Sequence, residues 1–116
     1  MHELSIAMSI VDIAQEEALK INASEVIDID IEVGLWSGVD CDALLFSLDA
    51  AKQYSPLLKK SKINLIRKEP LMYCEGCGNE FRPEVQYITS CSLCSSAKIK
   101  LIQGRELSVL SLNIKD

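Results

Sequence analysis

Two Cys-x-x-Cys pairs constrain this chain more than any other feature. Cys74-Glu75-Gly76-Cys77 and Cys91-Ser92-Leu93-Cys94 stand thirteen residues apart, and the only other cysteine is Cys41. Each pair can clamp one side of an ion through a tight turn, while the loop between them folds the pairs together. Gly78, directly after Cys77, supplies the permissive backbone such a turn favours. Four thiolates make a closed tetrahedral zinc shell with no position left for water, which is the pattern of a structural site. Its binding energy, of order 10 kcal/mol or more, is then also folding energy. Two disulfides or four unrelated thiols are the competing reading, and iron in a rubredoxin-like carrier would use the same ligands. Against iron, Ser92, Leu93 and Ser95 stand where such carriers are expected to have Pro and Gly.

Charge and histidine content narrow the rest. The 116 residues carry a net charge of −5, which disfavours a protein held to nucleic acid by phosphate contacts. The one dense basic stretch, Lys59, Lys60, Lys62, Arg67 and Lys68, reads as a strand edge kept soluble by lysines. No apolar run reaches the roughly 20 residues of a membrane helix, and no basic leader precedes an apolar core. A cytoplasmic protein with reduced thiols is expected, with no membrane and no nucleic acid among its partners. The single histidine is His2. That removes Ser-His and Cys-His nucleophile pairs from the body of the chain, so no enzyme is expected.

Periodicity sets the frame. Leu4, Ala7, Met8, Val11, Ala14, Ala18 and Ile21 recur at helical steps, predicting a helix over residues 4–21. Ile6, Ile10 and Ile13 widen its stripe, so burial on more than one side is expected. Residues 26–35 alternate as a strand, with Ile27, Ile29, Ile31, Val33 and Leu35 on one face and Asp28, Asp30 and Glu32 on the other. The acidic row resembles a cation site but reads better as a solvated face. Asp40 is a candidate N-cap for a second helix over 41–54, with Leu44, Leu45, Leu48 and Ala51 as its stripe. Cys41, in its first turn, reads as an ordinary small side chain rather than a working thiol. Residues 62–68 form a second strand, parallel to the first because a helix intervenes, with a right-handed crossover. Further strands are expected at 98–102 and 106–114. The latter is apolar on both faces in its middle, which predicts a central or well-covered place.

The expected fold class is α+β: two helices on a small three-stranded mixed sheet, with an inserted zinc-ribbon-like module. The expected division is 1–69 with 102–116 for the α/β part and 70–101 for the insertion.

The chain start holds a second metal-binding possibility. The Met1 amine, the His2 backbone nitrogen and the His2 imidazole can wrap one ion in two fused chelate rings. Amide nitrogen suits Ni(II) or Cu(II), and a bulky residue at position two should leave Met1 in place. Glu3 is adjacent, and Asp40 comes near if both helix starts lie at one end of the sheet. Surface acids at helix N-termini are also common for dipole reasons alone.

Met1-His2-Glu3-Leu4-Ser5-Ile6, Gly34-Leu35 with Ser37-Gly38-Val39, the paired CxxC and Gly104-Arg105-Glu106-Leu107 together resemble the HypA/HybF family over the full chain. The resemblance implies a nickel metallochaperone for maturation of [NiFe]-hydrogenase and, in some bacteria, urease. It implies transient Ni(II) cargo at His2 and neighbouring backbone nitrogens, with Met1 and Glu3 beside it. It implies structural Zn(II) on Cys74, Cys77, Cys91 and Cys94. Its implied partners are a HypB-type GTPase, the hydrogenase large subunit and urease maturation proteins, with a monomer or homodimer as the working form. Many members carry Pro inside the second CxxC and Gly or His after it; here Ser92, Leu93 and Ser95 occupy those places. With no histidine near the cysteines, an all-thiolate site with little pH switching is expected. The competing function is a zinc-ribbon protein- or RNA-binding module, whose affinity would depend on the basic 59–68 stretch rather than on His2.

Overall fold

In the computed structural model, which describes residues 3–116, helix α1 runs Glu3–Lys20 and strand β1 runs Glu25–Gly34. Helix α2, Cys41–Ala51, continues as a single 3₁₀ turn, Lys52–Tyr54. Strands β2 (Lys62–Lys68), β3 (Leu71–Cys74), β4 (Glu80–Phe81), β5 (Ile99–Gln103) and β6 (Leu107–Lys115) follow. They build two three-stranded sheets, β2-β1-β6 and β4-β3-β5. β1 pairs with β2 in parallel, as the intervening helix requires, and with β6 antiparallel, so the first sheet is mixed. The second sheet is wholly antiparallel.

The main core lies between the first sheet and the two helices. Ala7, Ile10, Val11, Ala14 and Ala18 of α1, Leu44, Leu48 and Ala51 of α2, and Val26, Ile29, Ile31 and Val33 of β1 are buried together. Small residues on α1 let that helix approach closely. Asp40 caps α2: its Oδ1 accepts from the amides of Asp42 at 3.0 Å and Ala43 at 3.1 Å. Both satisfy donors that the first helical turn leaves free.

Several side chains lie elsewhere than periodicity predicts. Leu4, Met8 and Ile21 are exposed, while Ile10, of the widened stripe, is buried as expected. Ile13 is also exposed, so only one side of the helix is covered. On β1, Ile27 is exposed while Val26 is buried, because Ile27 is an extra residue between the pairs Val26–Ile114 and Asp28–Asn113. Such a bulge shifts the alternation by one residue. Leu35 falls beyond the strand and is exposed. On α2, Leu45 is only half-buried.

β6 departs furthest from expectation. It is an edge strand, and none of its residues is fully buried.

The acidic row of β1 has neighbours of its own. Asp28 accepts from Asn113 at 2.7 Å, and Asp30 accepts from Asn64 at 2.9 Å and Ser111 at 3.0 Å. Glu32 accepts from Ser108 and lies 3.7 Å from the Lys68 ammonium. The face is a cross-strand polar ladder. Among the described residues, no helix is long and apolar enough to cross a membrane.

The two sheets share a tight joint. The chain leaves β2 through Glu69–Pro70 and returns from β5 through Gly104–Glu106. Trp36 donates to the Gly104 carbonyl at 2.7 Å, and Gly34 donates to that of Glu106 at 2.7 Å. A Cβ on Gly34 would fall 2.1 Å from the Gly104 carbonyl oxygen, so only glycine fits. Gly104 itself sits at φ 130° against Pro70, in the region L side chains rarely adopt.

Candidate metal centre

β3 ends on Cys74, and the hairpin turn to β4 carries Cys77. Cys91 and Cys94 lie in a matching turn before β5. The two turns share one backbone plan. Gly78 donates to the Cys74 carbonyl at 2.8 Å, and Ser95 donates to that of Cys91 at 2.9 Å. Both residues are left-handed, Gly78 at φ 74° and Ser95 at φ 65°. Glycine adopts that conformation freely, whereas serine is strained in it.

The four Sγ atoms all lie within 4.8 Å of one another. Cys74 and Cys94 approach to 3.6 Å, and Cys77 and Cys91 to 3.9 Å. A tetrahedral zinc with Zn–S of about 2.3 Å separates its sulfurs by about 3.8 Å, so the residues fit that ion. None of the four is in a disulfide. Cys74 and Cys91 are buried with Met72 and Phe81, whereas Cys77 and Cys94 face outward. Outer hydrogen bonds orient the sulfurs: the Leu93 amide reaches Cys91 Sγ at 3.3 Å, and the Asn79 side chain reaches Cys77 Sγ at 3.6 Å.

Electrostatics agrees with a site built for a cation. The Cys77 amide, against desolvation and helped by the Cys94 and Cys77 side chains, pulls the Cys74 thiol from its ordinary 9.0 to about 7. Cys94 moves the other way. The Ser96 amide pulls it down, but Cys74, desolvation, Cys77 and Cys91 outweigh that and push it up to about 12. Sulfurs this close cannot all carry charge unless a cation lies between them. Bound zinc would hold all four as thiolates and, with its shell complete, would keep the hairpin and the second turn together.

The chain start is a different kind of place. Met1 and His2 lie outside the described residues. Glu3 opens α1, and its Oε2 accepts from the Asp40 amide at 3.3 Å. The two helix starts therefore meet at one end of the first sheet. Cys41, next in the chain, is half-buried and packs against the main core, as expected of a small apolar side chain. Among the described residues, the four cysteines are the only His, Cys, Asp and Glu side chains grouped closely enough to hold a metal.

Two features of the site were not legible as such. Glu106 accepts the Gly104 amide at 2.6 Å and so braces the return tether; the Gly104-Arg105-Glu106-Leu107 motif carries this role without announcing it. The strained Ser95 is found only by matching the two turns residue by residue.

Comparison with known proteins follows the same lines. Residues 1–114 match the family model described as hydrogenase/urease nickel incorporation, metallochaperone, HypA. The chain is 34% identical over 115 residues to the hydrogenase maturation factor HypA of Chlorobium phaeobacteroides (strain BS1), covering 99% of this chain and 100% of that protein. It is 39% identical over 115 residues to the protein of that name from Parabacteroides distasonis, covering 99% and 98%. In fold it is similar to the solution structure of the Ni metallochaperone HypA from Helicobacter pylori, with a TM-score of 0.72 at 23% identity, covering 99% of this chain and 98% of that one. A second HypA solution structure gives a TM-score of 0.76 at 24% identity, covering 98% and 96%.

Proposed function

This chain belongs to the HypA family of hydrogenase/urease nickel-incorporation metallochaperones, and from that premise we propose that it carries Ni(II) at its N-terminus and delivers it to a [NiFe]-hydrogenase large subunit. Nickel binds through the His2 imidazole, the His2 backbone nitrogen and the Met1 amine, with Glu3 and Asp40 as neighbouring carboxylates. The protein is a carrier, not a catalyst. A HypB-type GTPase is its partner in the cytoplasm, and urease maturation is the second outlet for the same cargo.

The reading divides the chain into two domains, residues 1–69 with 102–116 and the inserted residues 70–101, with the second joint carried on to Gly104 because β5, Ile99–Gln103, pairs in the second sheet. One carries nickel; the other is held by zinc on Cys74, Cys77, Cys91 and Cys94. A four-thiolate site has no free coordination position, so cargo needs another place to bind. The observation that supports that place is the contact between the Asp40 backbone amide and the Glu3 carboxylate, which brings the starts of the two helices together at the end of the sheet where the described chain begins. Amide nitrogen and imidazole then supply the tetragonal field that Ni(II) prefers.

Nickel titration of untagged protein tests this, with wild type beside His2→Ala and zinc content measured in both. The expected result is loss of specific nickel binding in the variant, with zinc and the circular dichroism spectrum unchanged. Unchanged nickel affinity would remove the chain start from the mechanism. Binding that instead depends on Lys59, Lys60 and Lys62, with RNA or a protein as ligand, would favour the zinc-ribbon reading.

A further inference from the structure

β6 has the composition of an interior strand and the position of an edge strand. Leu107-Ser108-Val109-Leu110-Ser111-Leu112-Asn113-Ile114 holds five apolar residues of eight and no charge. β1 covers one side of it only. The opposite edge, β2, carries Lys62, Arg67 and Lys68, the kind of charge that resists pairing with another chain. On β6 the only charge is Lys115, at its last position.

The strand is also symmetric about the Leu110–Ser111 bond. Leu107, Val109, Leu112 and Ile114 stand opposite Val33, Ile31, Ile29 and Val26, the buried residues of β1, and so lie on the helix side. Ser108, Ser111 and Asn113 stand opposite Glu32, Asp30 and Asp28 on the outer side. Leu110 is the extra residue between the pairs Asp30–Ser111 and Ile31–Val109. Without that bulge, an antiparallel copy centred on this bond would set helix-side residues against outer ones. With it, Leu107 meets Ile114, Val109 meets Leu112 and Ser108 meets Asn113, each pair on one face.

The backbone fits the same register. The carbonyls of Glu106 and Lys115 accept from Gly34 and Ser24, on the β1 side. Adjacent strand residues turn to opposite edges. Leu107 and Ile114 therefore present their amides and carbonyls to the free edge, where the register pairs them.

Charge complements it. Arg105-Glu106 precedes the strand and Lys115-Asp116 closes it. In the paired copy Lys115 falls opposite Glu106 and Asp116 opposite Arg105, at both ends of the ribbon. α1 adds a third contribution. It is the helix packed against β6, and its flank turned away from α2 carries Ile6, half-buried, and Ile13, which is 50% exposed. A two-fold axis beside β6 brings this flank towards its mate.

We infer that the chain forms a two-fold homodimer by antiparallel pairing of β6 with β6 of a second copy, centred on Leu110–Ser111, giving one six-stranded sheet. An isologous interface of this kind needs one self-complementary strand and closes after two copies. β6 then becomes the central strand its sequence describes.

Sedimentation equilibrium on the zinc-loaded full chain tests the inference. The expected particle has twice the 12.9 kDa mass of one chain. Leu110→Lys sets like charges together at the axis, and Ile13→Lys sets one on the helix flank. Each should weaken association by about tenfold or more, with zinc content and circular dichroism unchanged. Arg105→Asp should weaken it, and adding Asp116→Arg should restore it, because the swap rebuilds the cross-chain pair. A single-chain mass from micromolar to millimolar concentration overturns the inference. So does a dimer indifferent to Leu110→Lys and Ile13→Lys, or a charge reversal that the second substitution fails to repair.

Discussion

At the scale of single residues, the two cysteine turns show how alike two pieces of backbone can be while their sequences differ. Both place a left-handed residue directly after the second cysteine, and both close with an amide to the first cysteine's carbonyl. Gly78 meets the demand without strain; Ser95 does not. Ser95→Gly should therefore stabilise the zinc-loaded protein by about 0.5–1 kcal/mol, the relief of the left-handed serine less the added freedom of glycine in the unfolded chain. Urea denaturation followed by circular dichroism measures it, and an unchanged or lower midpoint would show that Ser95 is not strained. Gly34 illustrates a different constraint. Its conformation is ordinary, but the Gly104 carbonyl occupies the space a Cβ would need. The sequence places this glycine at a strand end; only the returning tether explains it.

At the scale of elements, α2 begins where the first sheet, α1 and the proposed nickel end converge. Asp40 has two tasks there. Its Oδ1 caps the helix, and its backbone amide donates to Glu3. The tasks separate by substitution. Asp40→Ala should cost about 1 kcal/mol of stability through loss of the cap. Asp40→Asn keeps a capping oxygen and should melt close to wild type while removing a negative charge from beside the chain start. Thermal unfolding checks the first claim. Nickel titration of the Asn variant checks whether the carboxylate matters to cargo, independently of the fold. Strand periodicity was legible for β1 and β2, since alternation survives in isolation. The two bulges were not. A bulge is a property of a strand pair, so Ile27 and Leu110 acquire their exposed positions only when β1 and β6 align.

At the scale of the whole molecule, the protein is elongated, with extents of 53 × 26 × 16 Å. Its two buried clusters have no member in common. The larger one draws on both helices and β1. The smaller consists of Met72, Cys74, Phe81 and Cys91, so two of its four buried residues belong to the four-cysteine cluster that fits zinc. So few apolar groups cannot offset the chain entropy of residues 71–103 without the ion. Removing zinc with a chelator should therefore unfold β3, β4 and β5 while α1, α2, β1, β2 and β6 persist. Amide hydrogen exchange read residue by residue distinguishes this from global unfolding: protection should vanish in the cysteine module and remain in Ile29, Ile31 and Leu48. Loss of protection throughout would mean that the tethers couple the two parts into one cooperative unit.

The sequence by itself determined the four-cysteine cluster, the two helices, the alternating strand and the mixed character of the first sheet. Each of these rests on local spacing: two residues between cysteines, three or four along a helix, two along a strand. It also carried the family resemblance, because the motifs at residues 1–6, 34–39, 74–94 and 104–107 can be read without folding the chain. Only the tertiary structure decided that Glu3 meets Asp40, that Gly34 must leave room for Gly104, and that the acidic row of β1 is answered by Asn113, Ser111, Asn64 and Lys68. Each of those depends on residues far apart in the chain arriving together, and no local period encodes an arrival. β6 stands between the two cases. Its sequence describes an interior strand, and the fold of one chain leaves it at the edge, a mismatch that the inferred pairing with a second copy would remove.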